Sequence, residues 1–354
     1  MDLYNLGTVP WRDSQLLYHA LAHLGREGLI LLQPGNPYVC LGYHQDAERE
    51  LELDFLEENQ IPAFRREVGG GAVYLDRGQL FYQLILRSDR EDVPASKDAF
   101  YRKFLGPVVK TFCDAGVDAI FKPVNDIIVD GRKISGNGAA EINGMVILVG
   151  NFLIDFNYEM MARSLRVPSE KFRDKVKKSM REALTTLTRE LETPPSLEML
   201  SERVIENYEP LLGSLVQREV DDEMRAMTDQ LWREQFGRPD WLMVNDRRRP
   251  DLRRPALRGV RIAEGVDVIE RVYKAPGGLI RASAVQDNGT LRDVHYSGDF
   301  FIYPADALLA LEAALEGVTA EYAPIEARIN DFYRVNEPQT PGITAADFAS
   351  ALLD

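Results

Sequence analysis

Cysteine is scarce. Cys40 and Cys113 are the two thiols in 354 residues, too few for a disulfide framework or a four-thiolate zinc site. Histidine is nearly as sparse, at four: His19, His23, His44 and His295. His19 and His23 stand i, i+4 on one helical segment, a spacing open to a metal ion, but no acidic or third histidine partner lies near them in sequence. A helical surface or packing role is expected for both. Long apolar runs are missing as well. The longest stretch, Met145 to Phe156, contains Gly150, Asn151 and Asp155 and is too short to cross a bilayer. The first residues, MDLYNLGTVPWRDSQ, are polar and unlike a secretory leader. Positive charge is in deficit: 42 Lys and Arg face 56 Asp and Glu, a net charge of −14. That balance disfavours a general nucleic-acid binder or a membrane-surface protein, while leaving room for a local basic site around a phosphate. The expectation is a soluble, cytoplasmic protein. With 45% hydrophobic residues it can build a sizeable core, and its length suggests two domains.

Leu16, Leu17, Ala20, Leu21 and Leu24 recur at helical spacing over Asp13 to Leu24. Two short apolar runs, 28–34 and 38–44, are split by Pro34-Gly35-Asn36-Pro37 and read as strand, turn, strand. A charged helix is predicted over Ala47–Asn59, and two strands around Asp76-Arg77-Gly78. Asp98 to Ala115 is amphipathic, with Phe100, Phe104, Leu105, Val108 and Phe112 on one face. Asp130-Gly131 and Asn143-Gly144 are hairpin signals within a strand-rich 120–156. Charged helices dominate from about Ser169 to Phe236. Strands thus precede helices, which predicts an α+β fold with a large mixed or antiparallel sheet. An arginine- and proline-rich stretch holding Arg247, Arg248, Arg249, Arg253, Arg254 and Arg258 marks a linker. Domains are expected at 1–245 and 260–354, with 246–259 between them. The second is a small α+β domain whose helices start near Pro304, Ala320 and Thr344, Pro304 being placed at a first helical position.

Two clusters carry the chemistry. In the first, Arg65-Arg66-Glu67-Val68 leads into Gly69-Gly70-Gly71-Ala72-Val73-Tyr74. Three glycines let the backbone approach a ligand, their N–H groups can donate to phosphate or carboxylate oxygens, and a preceding arginine adds a bidentate donor. It is neither a Walker A loop nor a dinucleotide fingerprint, and a wide hairpin loop is the plain alternative. In the second, Asn125-Asp126 is followed by Gly131-Arg132-Lys133-Ile134-Ser135-Gly136-Asn137-Gly138. Lys133 sits between a tight turn and a Ser-Gly-x-Gly loop, and Asp126 is placed one strand away, where a carboxylate can hold a phosphate-bound metal.

Taken together, Arg-Arg-x-x-Gly-Gly-Gly-Ala-Val-Tyr, Asn-Asp-Ile and Gly-Arg-Lys-Ile-Ser-Gly resemble the lipoate–protein ligase family of the biotin/lipoate ligase superfamily. The stretch 41–62 is similar too, and the likeness runs over roughly the first 245 residues. The tail with Lys274-Ala275-Pro276-Gly277-Gly278 and Ser297-Gly298-Asp299-Phe300-Phe301 resembles the family's accessory domain, here fused. The resemblance implies a two-step reaction. Lipoate and ATP, with Mg²⁺, give lipoyl-AMP, and a lysine of an acceptor domain then takes the acyl group as an amide. It implies Lys133 as the catalytic cation. Arg66, Gly69, Gly70, Gly71, His44, Val149 and Gly150 are implied on the acyl substrate. Ala72, Val73, Tyr74, Gln79, Asn125, Asp126, Ser135 and Gly136 are implied on the nucleotide, Asp126 reaching the metal through phosphate. A lid over the adenylate is expected at Gly136–Gly138 or around 163–178.

Three departures bear on the acyl chain accepted. Val68 stands where Ser or Thr is common, Leu75 replaces a frequent His, and Val149 stands where many members have His before Gly. A drier acyl pocket follows. Implied partners are lipoyl domains of 2-oxo-acid dehydrogenase acyltransferase subunits or the glycine-cleavage H protein, drawn by a local basic patch of Arg132, Lys171, Arg173, Lys175, Lys177 and Lys178; a monomer is expected. Three other readings stay open: an octanoyl or lipoyl transferase using Cys40, a biotin–protein ligase, and a non-catalytic module that binds lipoyl domains. Cys40 lies mid-strand and reads as a buried apolar thiol, and Cys113, beside Phe112, as core.

Overall fold

The computed structural model describes residues 1–248, 261–263 and 266–353. The chain divides into two compact units. The first takes Met1–Leu41, Leu51–Val68 and Ala72–Leu242; the second takes Gly42–Glu50, Gly69–Gly71 and the chain from Met243 onward.

The first unit is built on a six-stranded mixed sheet. Its order is Asn137–Ile142, Met145–Leu153, Gln79–Arg87, Gly28–Pro34, Asp2–Val9 and Val216–Gln217. Gly28–Pro34 runs parallel to Asp2–Val9 and antiparallel to Gln79–Arg87. Leu29, Ile30, Leu31 and Leu32 are all fully buried, the continuous apolar run expected of a strand covered on both faces. The amphipathic segment forms helix Lys97–Asp114, and Phe100, Phe104, Leu105, Val108 and Phe112 are buried as a set. Both predicted hairpins form. Asp130 and Gly131 have φ of 48° and 79°, Asn143 and Gly144 50° and 74°, the paired positive values that a two-residue turn of the primed kind requires.

The runs 28–34 and 38–44 form strands on either side of the turn, as read, Gly28–Pro34 in the large sheet and Tyr38–Leu41 in a separate three-stranded sheet, parallel to Ala63–Arg65 and antiparallel to Val73–Leu75. Two other expectations change. The helix expected over 47–59 is two short helices, Ala47–Glu50 and Leu53–Glu58. Leu51 breaks it by bridging Leu165, and the Glu52 N–H donates to the Ser164 carbonyl at 2.9 Å. Cys113 is exposed, because one residue along a helix turns a side chain about 100° away from the buried Phe112.

The second unit holds a four-stranded sheet in the order Arg261–Ala263, Val266–Ala275, Gly278–Asp287, Thr290–Gly298. Helices Ala307–Leu315, Tyr322–Asn336 and Ala345–Leu353 pack on it over a core that includes Ile280, Ala282, Leu311, Ile329 and Phe348. Pro304 stands ahead of its helix, which begins at Ala307 behind Asp306. Arg247 and Arg248 lie in a short 3-10 turn, Asp246–Arg248. The remaining arginines of the expected linker lie outside the described residues.

Candidate functional site

The lysine-bearing segment of the first unit sits in a three-stranded sheet of Ile120–Lys122, Asp126–Val129 and Arg132–Ser135. The type of turn at Asp130-Gly131 sets the register, so that Lys133 opposes Ile128. Its Nζ lies 2.7 Å from Asp126 Oδ1, with both side chains about one third exposed (34% and 31%). The two charged groups that the sequence placed one strand apart therefore meet as an ion pair open to solvent.

Gly136 is the corner at which the chain leaves this small sheet for the large one, entering strand Asn137–Ile142. A Cβ there would lie 3.8 Å from Lys133 Cε, so the backbone passes close beside the lysine stem. The Gly136 N–H donates to Asn151 Oδ1 at 2.8 Å, and Asn151 Nδ2 in turn donates to Gln79 Oε1 at 2.7 Å. Gln79 Nε2 donates to the Tyr74 carbonyl at 3.1 Å, and the Tyr74 N–H points to Met161 Sδ at 3.2 Å. Burial, and then the nearby Asp76, push the Tyr74 hydroxyl up to about 12. Gly136, Gln79 and Tyr74 are thus joined in one chain of hydrogen bonds.

Asn137 is the hub of a second chain. Its side chain donates to the Asn125 carbonyl at 2.8 Å, and Asn125 Nδ2 donates back to the Asn137 carbonyl. Ser135 Oγ donates to Asn137 Oδ1 at 3.1 Å, and the Tyr82 hydroxyl donates to the same oxygen. Gly150 makes this possible: a Cβ on it would fall 2.3 Å from both Asn137 Oδ1 and the Tyr82 oxygen. Val149 opposes Gly138 and Gln83 in the large sheet. Asn137 was expected as part of a lid; its role as a hydrogen-bond hub, and the parts played by Asn151 and Tyr82, were not foreseen. The available signal was a pair of asparagines, each following a glycine, in SGNG and VGNF.

Arg66 Nη1 donates to the Cys40 carbonyl at 3.2 Å and lies 3.5 Å from its sulfur. Cys40 is buried, and burial raises its thiol above the ordinary range even though Arg66 pulls the other way. Ala72 is partly buried, and Val73 pairs with Cys40 in the small sheet. Val68 and Leu75, two of the departures, are buried. His19 is also buried, its Nδ1 2.7 Å from the Gln15 carbonyl and its ring between Tyr18 and Phe236. Burial pushes it down to about 3, which fits packing.

The expected basic patch is partly spent on internal contacts. Arg132 pairs with Glu190 at 3.0 Å, Arg173 donates to the Ala162 carbonyl at 2.7 Å, and Lys177 pairs with Glu159. Lys171, Lys175 and Lys178 follow one exposed stripe of helix Glu170–Ala183, which buries no residue. Just beyond that helix the Thr185 N–H donates to the Lys133 carbonyl at 2.8 Å.

His44 and the glycine triplet belong to the second unit. His44 stacks on Phe300, with ring centroids 5.4 Å apart and planes 6° from parallel. The Gly70 N–H is directed at the Phe300 carbonyl at 3.4 Å, and a Cβ on Gly69 would lie 2.9 Å from that same oxygen. Here the bare backbone admits another stretch of protein. Among the described residues no helix is long and apolar enough to cross a membrane. No group of three or more His, Cys, Asp or Glu among them could hold a metal ion.

The lipoyl protein ligase A/B catalytic-domain model matches residues 10–209. A lipoate–protein ligase 1 of Staphylococcus aureus is 25% identical over 336 residues, covering 94% of this chain and 89% of that protein. An octanoyltransferase LipM of Halalkalibacterium halodurans is 22% identical over 58% of this chain and 83% of its own. Among solved structures, a bipartite lipoate protein ligase of Thermoplasma acidophilum, described with its E2 lipoyl domain, is 27% identical with a TM-score of 0.61. It covers 68% of this chain and 95% of its own.

Proposed function

From the chain's membership of the lipoyl protein ligase A/B catalytic-domain family we propose that it is an ATP-dependent lipoate–protein ligase. On this reading it makes lipoyl-AMP and passes the lipoyl group to a lysine amine of an acceptor domain. The observation that carries the reading is Lys133: an ammonium on a short strand, 2.7 Å from Asp126 and beside the Gly136 corner. Attack of a carboxylate on the α-phosphate of ATP builds negative charge that such a cation stabilises while pyrophosphate leaves. In the second step the same donor polarises the acyl carbonyl as the acceptor amine attacks and AMP departs. Asn125, held in reciprocal bonds with Asn137, and Asp126 stand on either side of one peptide bond, and on this reading both face the nucleotide phosphates. Mg²⁺ would arrive on the nucleotide phosphates, with Asp126 as its protein carboxylate. Gln79, Tyr74 and Ser135 supply nucleotide contacts; Arg66, Val149 and Gly150 supply acyl contacts. Incubation with lipoate and ATP should release pyrophosphate.

Similarity to an octanoyltransferase supports a second reading, acyl transfer through a thioester on Cys40. The thiol's setting argues against it, since burial disfavours the thiolate that a nucleophile needs. Cys40→Ala is expected to keep at least half of the ligase activity and to lose about 1 kcal/mol of stability, checked by urea unfolding. Complete loss of acyl transfer in a folded Cys40→Ala protein would favour the thioester route.

The stripe of Lys171, Lys175 and Lys178 supports docking of an acidic acceptor domain on a chain whose net charge is −14. Reversing Lys175 and Lys178 to Glu should raise the acceptor KM about tenfold at low salt, less at high salt, and leave pyrophosphate release unaltered. A matching fall in pyrophosphate release would instead put this helix in the adenylation step.

A further inference from the structure

One strand of the first unit is buried along most of its length and opens at a single stretch. In Met145–Leu153, residues 145–148 and 152–153 are buried, whereas Val149, Gly150 and Asn151 are partly exposed. Val149 and Gly150 supply acyl contacts in the proposed reaction; Asn151 has no part in it. Gln79, on the neighbouring strand Gln79–Arg87, faces Leu153 in register, two positions beyond Asn151. Its side chain therefore stands diagonally across from Asn151 on the same face of the sheet. The bond of 2.7 Å from Asn151 Nδ2 to Gln79 Oε1 spans that diagonal. Gln79 is buried, so its polar atoms need partners within the protein.

The hydrogen bonds through these two amides run in one direction. Gly136 presents a backbone N–H, which donates, and Tyr74 a backbone carbonyl, which accepts. Asn151 therefore turns its oxygen to Gly136, at 2.8 Å, and its NH2 to Gln79. Gln79 turns its own NH2 to the Tyr74 carbonyl, at 3.1 Å. Each link needs one group with both an acceptor and a donor, which an amide supplies and a carboxylate or an alkyl chain does not. A Cβ on Gly136 would lie 3.6 Å from Asn151 Oδ1 and 3.8 Å from Lys133 Cε, so the amide and the lysine stem stand beside the same glycine. Asp126 holds the ammonium at 2.7 Å, and the Thr185 N–H holds the lysine carbonyl at 2.8 Å. Asn151 anchors the corner at which the lysine strand passes into the large sheet.

We propose that Asn151 is a positioning residue for Lys133: its amide fixes the Gly136 corner from which the lysine stem is aimed. Gln79 and the Tyr74 carbonyl back that amide, so the corner is tied to strand Val73–Leu75 as well as to Met145–Leu153. The proposal rests on the ligase reading, in which Lys133 meets the charge developing on the α-phosphate. A group aimed at a reacting centre loses much of its effect when it moves, and a displacement of ~1 Å can cost about 10²-fold in rate. Asp126 and Thr185 stay in place when the corner is released, so a smaller loss, about tenfold, is expected.

The test is a single turnover by the full chain, in excess over ATP and with saturating lipoate, followed as pyrophosphate release. The limiting rate at high enzyme concentration reads the chemical step. The concentration giving half that rate reads ATP binding and the competent fraction, which is where a merely structural defect would show. Asn151→Leu is similar in size and makes neither hydrogen bond. It should lower the limiting rate about tenfold and shift half-saturation by less than about twofold. In a Lys133→Ala background the same change should alter the limiting rate by less than about twofold, because Asn151 acts through the lysine. A limiting rate for Asn151→Leu within about twofold of wild type overturns the proposal, and so does a tenfold fall repeated in the Lys133→Ala background. If thermal melting shows Asn151→Leu unfolded, Asn151→Ala decides on the same two comparisons. A wild-type chain that releases no pyrophosphate with lipoate and ATP refutes the ligase reading itself, a result separate from any difference between variants.

Discussion

Lys133→Ala should lower lipoate-dependent pyrophosphate release by about 10³-fold or more, the loss expected when the main donor to a developing oxyanion is removed. Stability should hardly change. The ion pair with Asp126 is solvent-open, each side chain about one third exposed, and pairs of that kind contribute roughly 0–1 kcal/mol. Lys133→Arg is not expected to restore the rate, because a planar guanidinium cannot place a point charge beside the Gly136 backbone in the same way. Urea unfolding and a pyrophosphate assay on the same preparations separate the two effects. Activity within tenfold of wild type in Lys133→Ala would remove the lysine from the chemistry.

Gly150→Ala should be the most damaging one-methyl change in the first unit. The added Cβ would fall 2.3 Å from both Asn137 Oδ1 and the Tyr82 oxygen, and both of those side chains are buried. Relief requires Asn137 to move, which breaks its 2.8 Å bond to the Asn125 carbonyl and its 3.1 Å bond from Ser135. Overpacking of this kind costs about 1–3 kcal/mol, and loss of the buried hydrogen bonds adds to it. Activity should fall with stability, because Asn125 and the Gly136 corner shift together. Pairing the change with Asn137→Gly should restore part of the stability, since one of the two clash partners is gone and the Tyr82 ring gains room to move. A stable, fully active Gly150→Ala protein would show that the asparagine hub does not shape the site.

The sequence was most informative where backbone geometry is local. Asp130-Gly131 and Asn143-Gly144 announced their turns because both positions need positive φ, and the first of those turns fixes Lys133 opposite Ile128. Sheet membership was not legible. The neighbouring runs 28–34 and 38–44 look alike in composition, yet their hydrogen-bond partners lie far along the chain and in different sheets. The glycine triplet was found, but a glycine needed by a ligand and one needed by a protein neighbour look alike in sequence; Gly69 and Gly70 accommodate Phe300 and Phe301. Asn137 entered the sequence reading only as part of an expected lid and Asn151 not at all, whereas here each stands in a strand and its side chain links that strand to the site.

The most direct test of the central claim is the intact mass of an isolated lipoyl domain after incubation with the full chain and free lipoate, with and without ATP and Mg²⁺. The account predicts a mass gain of one lipoyl group per acceptor lysine only when ATP is present, with one AMP formed per group transferred. Equal modification without ATP when a lipoyl thioester replaces free lipoate as donor, its thiol leaving on transfer, and loss of that modification in Cys40→Ala, would contradict it.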